Sequence, residues 1–141
     1  MRLKRLFSGS NNILQGAYLS SNGYIYLSFW GQGLFCYEKT GKFIKRYTKE
    51  NSDLTNNYVL DIVEKEGFLW LATDGGGINR LELSNENFSN LYHIAGDKNS
   101  LPVNSVTILY KDENEAYGPE VSEEGFSILK KATYAHIKTA H

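Results

Sequence analysis

The chain has 141 residues, 41% of them hydrophobic, with ten tyrosines, seven phenylalanines and two tryptophans. Fifteen basic and sixteen acidic side chains leave a formal charge of -1, which gives no general electrostatic attraction for nucleic acid. No apolar run is long enough to span a membrane, and the single cysteine, Cys36, excludes an internal disulfide framework.

The basic start MRLKRLF is not followed by the apolar core of a secretory leader, so no signal peptide is expected and cytoplasmic retention is one reading. Strand patterns then come in quick succession. The first four are Ala17–Leu19, Tyr24–Phe29, Gly33–Glu38 and, after the turn KTGK, Phe43–Tyr47. The next four are Tyr58–Glu64, Phe68–Thr73, Gly77–Leu83 and Asn87–His93. Aromatic and β-branched residues favour such pleated, half-buried segments. In FLWLAT both alternating sets, Phe68/Trp70/Ala72 and Leu69/Leu71/Thr73, are mostly apolar. Period-2 logic therefore covers this strand on both faces, as between stacked sheets.

The two groups of strands are copies. Gly23, Tyr26, Leu27, Gly31, Gly33, Leu34 and Tyr37 meet Gly67, Trp70, Leu71, Gly75, Gly77, Ile78 and Leu81 at a constant offset of 44 residues. After one inserted residue, Phe43 meets Phe88 and Tyr47 meets Tyr92. LTNNYVLDI then reappears as LPVNSVTIL at an offset of 47, pairing Asn57 with Asn104 and Val59 with Val106. Four strands per unit at this pitch, with glycines and aromatics at fixed positions, give an all-β fold of β-propeller type. The expectation is a partial propeller of two to three four-stranded antiparallel blades. Blade one lies at about 13–50, blade two at about 54–96, and a third starts over 101–115. The glycines of TDGGG belong to a chain reversal between strands. A phosphate cradle would need a helix after them, and a strand pattern follows instead.

The third copy stops agreeing with itself. At offset 47, Trp70 falls on Tyr117 and the glycine triplet on Ser122, Glu123 and Glu124. Codons drawn from those allowed for 116–140 read in the neighbouring frame as IWAGSIGGGLFDLKKGNICTYKNG. That reading restores a tryptophan at 117, glycines at 122–124 and an apolar residue at 125. The expectation is a frameshift near Glu115 and an early end, leaving an aberrant tail over 116–141; the nucleotide sequence across codons 110–125 decides it. Within the tail, Phe126, Leu129, Thr133 and Ile137 fall near helical spacing, with Ser122 as a cap. A short C-terminal amphipathic helix and disorder are the two readings.

Asn57-Tyr58-Val59, Glu66-Gly67, LWLAT, GGGINRL and Phe88–Tyr92 together resemble the two-component regulator propeller repeat. That repeat is the blade unit of hybrid two-component sensor kinases of Bacteroides-like bacteria. Ala72 stands where the motif has glycine, and Ser28-Phe29 replaces its Gly-Thr in blade one. The resemblance covers about 13–115 and implies a fragment of a periplasmic, carbohydrate-sensing receptor domain. It implies no catalysis by this chain, because the kinase and DNA-binding parts of such proteins have no counterpart here. The alternatives are a structural or protein-interaction remnant without a ligand of its own, and a propeller enzyme acting on polysaccharide.

Repeat logic also sorts the candidate residues. Tyr26, Gly31, Gly33, Gly67, Trp70, Gly75 and Gly77 recur and read as structural. Trp30 and Asp74 differ at the same loop position and, with Arg80, are the candidates for contacting an oligosaccharide. Asp61, Glu64 and Glu66 have no spacing that brackets a substrate bond, and Asp61 and Glu66 read as turn or solvent-face residues. His93, His136 and His141 lack metal-ligand spacing, and Cys36 reads as a small buried hydrophobe. No cofactor is expected. Terminal blades with apolar faces predict self-association.

Overall fold

The computed structural model describes residues 13–112, 126–128 and 134–138. Strands β1 (Leu14–Leu19), β2 (Tyr24–Phe29), β3 (Leu34–Glu38) and β4 (Phe43–Tyr47) form an antiparallel sheet in that order. Strands β5 (Val59–Lys65), β6 (Phe68–Thr73), β7 (Ile78–Glu82) and β8 (Phe88–Leu91) repeat the arrangement. The fold is all-β, with two up-and-down sheets of the kind that make propeller blades. The β5–β6 turn carries Glu66 at φ 52 and Gly67 at φ 84. Two successive positive φ values match the twist of the flanking strands, which is why a two-residue turn suffices there.

β6 is covered on both faces, as its alternation predicts. Leu69 and Leu71 pack with Val59, Ile62 and Leu81 against Tyr26, Leu34, Cys36 and Tyr47 of the first sheet. Trp70 and Ala72 face the other way, onto Leu101, Val106 and Leu109. Tyr26 and Trp70 thus do the same thing in successive copies: each projects from its own sheet toward the unit that follows. Full burial of a leucine contributes roughly 1.5–3 kcal/mol, so Leu69 and Leu71, both at 0% exposure, are principal anchors of the sheet-to-sheet contact.

A repeated backbone device joins one unit to the next. Gly33 N donates to Asn57 O at 2.9 Å, and Gly77 N donates to Asn104 O at 2.8 Å. The same asparagines accept through Oδ1, from Lys49 N at 2.8 Å and from His93 N at 2.6 Å. Each asparagine therefore pins the exit of one sheet while its carbonyl holds the glycine turn of that sheet. Carboxylates add cross-ties. Glu64 accepts from Ser20 Oγ and Ser21 N, both at 2.8 Å, and from Ser21 Oγ. Glu86 accepts from Tyr47 OH at 2.6 Å and Lys45 Nζ at 2.9 Å. Asp61 accepts from Leu109 N at 2.8 Å and Ile62 N at 2.9 Å. Asp61 and Glu64 are thus ties between units, which corrects the reading of Asp61 as a turn or solvent-face residue.

A third sheet, in the order β10-β11-β9, contains β9 (Ile108–Asp112), β10 (Phe126–Ile128) and β11 (Tyr134–Lys138). β10 and β11 pair antiparallel, whereas β11 and β9 pair parallel, unlike every pairing in the first two sheets. The short C-terminal helix is replaced by strand at 126–128 and 134–138. The open hydrogen-bonding edge of β9 offers these segments a ladder, and tertiary pairing overrides a helical spacing carried by four side chains. The frameshift junction near Glu115 and the capping residue Ser122 lie outside the described residues.

Candidate functional site

Trp30 follows β2 and Asp74 follows β6, one repeat position in two consecutive sheets. Their backbones are held alike: Trp30 N donates to Ile13 O at 2.8 Å, and Asp74 N donates to Tyr58 O at 2.9 Å. Tyr58 and Ser105 likewise share a position, each one residue after the pinning asparagine. That places each connection residue beside the loop residue of the sheet before it. Tyr58 meets Trp30 edge to face, with ring centroids 5.0 Å apart and an interplanar angle of 75°. Ser105 Oγ donates to Asp74 Oδ1 at 2.7 Å, and the two residues form a β-bridge.

Four side chains therefore follow one another along one end of the two sheets: Trp30, Tyr58, Asp74 and Ser105. All four are exposed, Trp30 at 45% and Tyr58 at 40%. The Tyr58 ring lies over the Gly31 backbone, where φ is +72 and a Cβ would come within 3.1 Å of the ring. Asn56 fixes the junction between the aromatic and acidic halves, donating from Nδ2 to Asp74 O at 3.1 Å and accepting from Tyr58 N at 2.7 Å.

The remaining sequence candidates lie elsewhere. Arg80 sits in β7, its guanidinium 4.5 Å from the Phe68 ring centroid and 5.5 Å from that of Trp70, with Nε donating to Ser89 Oγ at 3.1 Å. The fold links Trp30 and Asp74 through Tyr58 and leaves Arg80 on the sheet face. Trp70 is 5% exposed, in the core position its repeat register implies. Cys36 is also buried, and burial pushes its thiol up from the ordinary value, which disfavours the reactive thiolate. His93 Nδ1 is bonded to Leu101 O at 2.8 Å. Among the described residues no group of three or more His, Cys, Asp or Glu could hold a metal ion. Asp61 and Glu64 are committed to cross-ties and Glu66 to a turn.

Tyr58 is the site residue that reading the sequence missed. Its signal was available: it is the middle residue of Asn-x-Val, and that residue changes from tyrosine to serine between copies, as Trp30 changes to Asp74.

This end of stacked four-stranded sheets is the loop face of a β-propeller, and comparisons with known proteins agree. Residues 53–75, from the inter-sheet connection through β5 and β6 into the glycine turn, match the family model of the two component regulator propeller. The matched segment is the first half of the second blade. No curated protein matches the chain. Among solved structures, the chain is similar to an extracellular domain assigned to the hybrid two component system BT3049 of B. thetaiotaomicron. Sequence identity is 20%, the TM-score is 0.59, and the match covers 94% of this chain. It covers 16% of that one, so the chain spans a small part of the length of the protein it resembles in fold.

Proposed function

We propose that the chain is part of the carbohydrate-sensing, periplasmic region of a hybrid two-component regulator and that it binds without catalysis. The observation that carries this reading is the match of residues 53–75 to the two component regulator propeller, within a fold similar to an extracellular domain assigned to such a system. An exposed face carrying two aromatic rings and a carboxylate supports the binding reading. Calorimetry of the full 141-residue chain against plant and host oligosaccharides is the test. Saturable binding of at least one, with its chain length unchanged after prolonged incubation, is the expected result. Silence across the panel, or shortening of any oligosaccharide, would count against it.

A second copy of the chain is the proposed protein partner. Leu19 and Phe43, on the outer face of the first sheet, are 59% and 52% exposed. They flank Ile25, Leu27 and Phe29, and Ile25 and Leu27 are the counterparts of Leu69 and Leu71, which receive a neighbouring sheet.

A further inference from the structure

Asn22 and Gly23 lie in the turn that joins β1 to β2, at the opposite end of the sheet from Trp30. No other asparagine in the sequence precedes a glycine, and the second unit has Glu66-Gly67 at the same repeat position. Gly23 N donates to Ser20 O at 3.0 Å and Ser20 N donates to Tyr24 O at 2.9 Å, which closes the turn. Gly23 has φ at +88, and nothing lies within 4 Å of where a Cβ would be, so no side chain shields its amide. Asn22 is exposed, and its Oδ1 accepts from Tyr24 N at 3.0 Å. The ring closed by that bond contains the 22–23 peptide, so the bond holds Cγ beside Gly23 N. The Tyr24 amide also points at the oxygen on which charge develops when Cγ is attacked.

We propose that Asn22 is a site of spontaneous deamidation and that the reaction loosens the junction between the first and second units. Gly23 N gives its proton to solvent and attacks Cγ of Asn22. The N–Cγ bond forms, the Cγ–Nδ2 bond breaks, and the side-chain nitrogen takes up a proton and leaves as ammonia. Water then opens the succinimide. Addition at Cγ gives aspartate; addition at the backbone carbonyl of residue 22 gives isoaspartate, with an extra methylene in the main chain. Water is the only co-reactant, and nothing is oxidised or reduced. The bond from Gly23 N to Ser20 O has to open first, so local opening of the turn gates the step.

The product lands in a tie between units. Glu64 of β5 accepts from Ser20 Oγ and Ser21 N, both at 2.8 Å, and from Ser21 Oγ. A carboxylate at position 22 adds like charge beside it. Asn22 Nδ2 also donates to Tyr26 OH at 3.1 Å, and Tyr26 is buried between the two sheets. Deamidation takes that donor from a buried phenol. The change runs one way and is confined to the first unit, and it does not depend on the receptor reading.

The test incubates the full chain for days at mildly alkaline pH, then digests it and maps the fragments by mass. Expected is loss of Asn22 with the mass change of NH2 replaced by OH, faster than at Asn51-Ser52, Asn99-Ser100 or Asn104-Ser105. Rearrangement at Asp74-Gly75 leaves the mass unchanged and is not counted. Asn22→Gln, which would have to close a larger ring, is expected to keep its mass over the same period. An Asn22 that lasts as long as the asparagine–serine sites would overturn the assignment. For the consequence, Asn22→Asp should melt below Asn22→Ser, and adding Glu64→Gln to both should narrow that gap. Equal melting of the two variants, or a gap that Glu64→Gln leaves unchanged, would overturn the loosening.

Discussion

Gly33 and Gly77 occupy one repeat position, and at both the space beside Cα is closed. A Cβ would lie 2.2 Å from Tyr47 O in the first case and 2.1 Å from Leu91 O in the second, with φ at +84 and +74. Gly67 has a similar φ of +84 but nothing within 4 Å. Alanine at 33 or 77 is therefore expected to destabilise by about 2–4 kcal/mol and at 67 by about 1 kcal/mol, because only the first two add a backbone clash to the left-handed strain. Denaturant midpoints of the three variants check this, and equal costs would remove the clash from the explanation. Asn79 is a second such residue. It is fully buried, accepting from Thr55 N at 3.2 Å and Asn90 Nδ2 at 2.6 Å and donating to Thr55 Oγ1 at 2.8 Å. Asn79→Leu keeps the volume and strands those partners. The expected loss is about 2–3 kcal/mol, measured the same way.

Between elements, the carboxylate ties carry opposite signs in acid. Lys45 and then Tyr47 hold Glu86 below the usual carboxylate range, so Glu86 favours the fold above its unfolded pKa. That contribution is lost as pH falls through the folded value. It is small, under about 1 kcal/mol, because Glu86 and Lys45 are both well exposed. Burial raises Asp61 more than its bonds from Leu109 N and Ile62 N lower it. Asp61 thus binds a proton more readily folded than unfolded, and its contribution becomes more favourable as pH falls through its folded pKa. Acidification from neutral to about pH 4 is therefore expected to cost Glu86→Gln less stability than the parent chain and Asp61→Asn more. Thermal melts across that range decide it, and parallel curves for all three would refute the assignment. Asp61→Ala leaves the Leu109 amide without its acceptor. Hydrogen exchange at Leu109 should accelerate well before that of Leu71 in the centre of β6.

Over the whole molecule, the first sheet carries two unlike faces. One meets the second sheet through Tyr26, Leu34 and Cys36; the other holds Ile25, Leu27 and Phe29 behind exposed Leu19 and Phe43. Residues 25 and 27 correspond to Leu69 and Leu71, which in the second unit receive a neighbouring sheet. A second copy would satisfy this face, most simply about a two-fold axis. Sedimentation equilibrium over the micromolar range should show concentration-dependent dimer, and Leu19→Lys with Phe43→Lys should shift it to monomer. A parent chain that stays monomeric throughout that range would exclude the dimer.

The offset of 44 residues and the alternation in FLWLAT were enough to read the blades, the register of Tyr26 and Trp70, and the turn role of the glycines. These properties are local: a pleat has period 2, and a repeat copies its own contacts. Convergence between units is not local. That Tyr58 touches Trp30 and that Asp61 reaches Leu109 depend on how one sheet stacks on the next. Period-2 reasoning assigns a side chain to a face of its own sheet and says nothing about the backbone facing it. Asp61 could therefore be read only as a turn or solvent-face residue until a neighbouring unit supplied its donor. Likewise, 126–128 and 134–138 carry a weak helical spacing, and the edge of β9 drew them into strand.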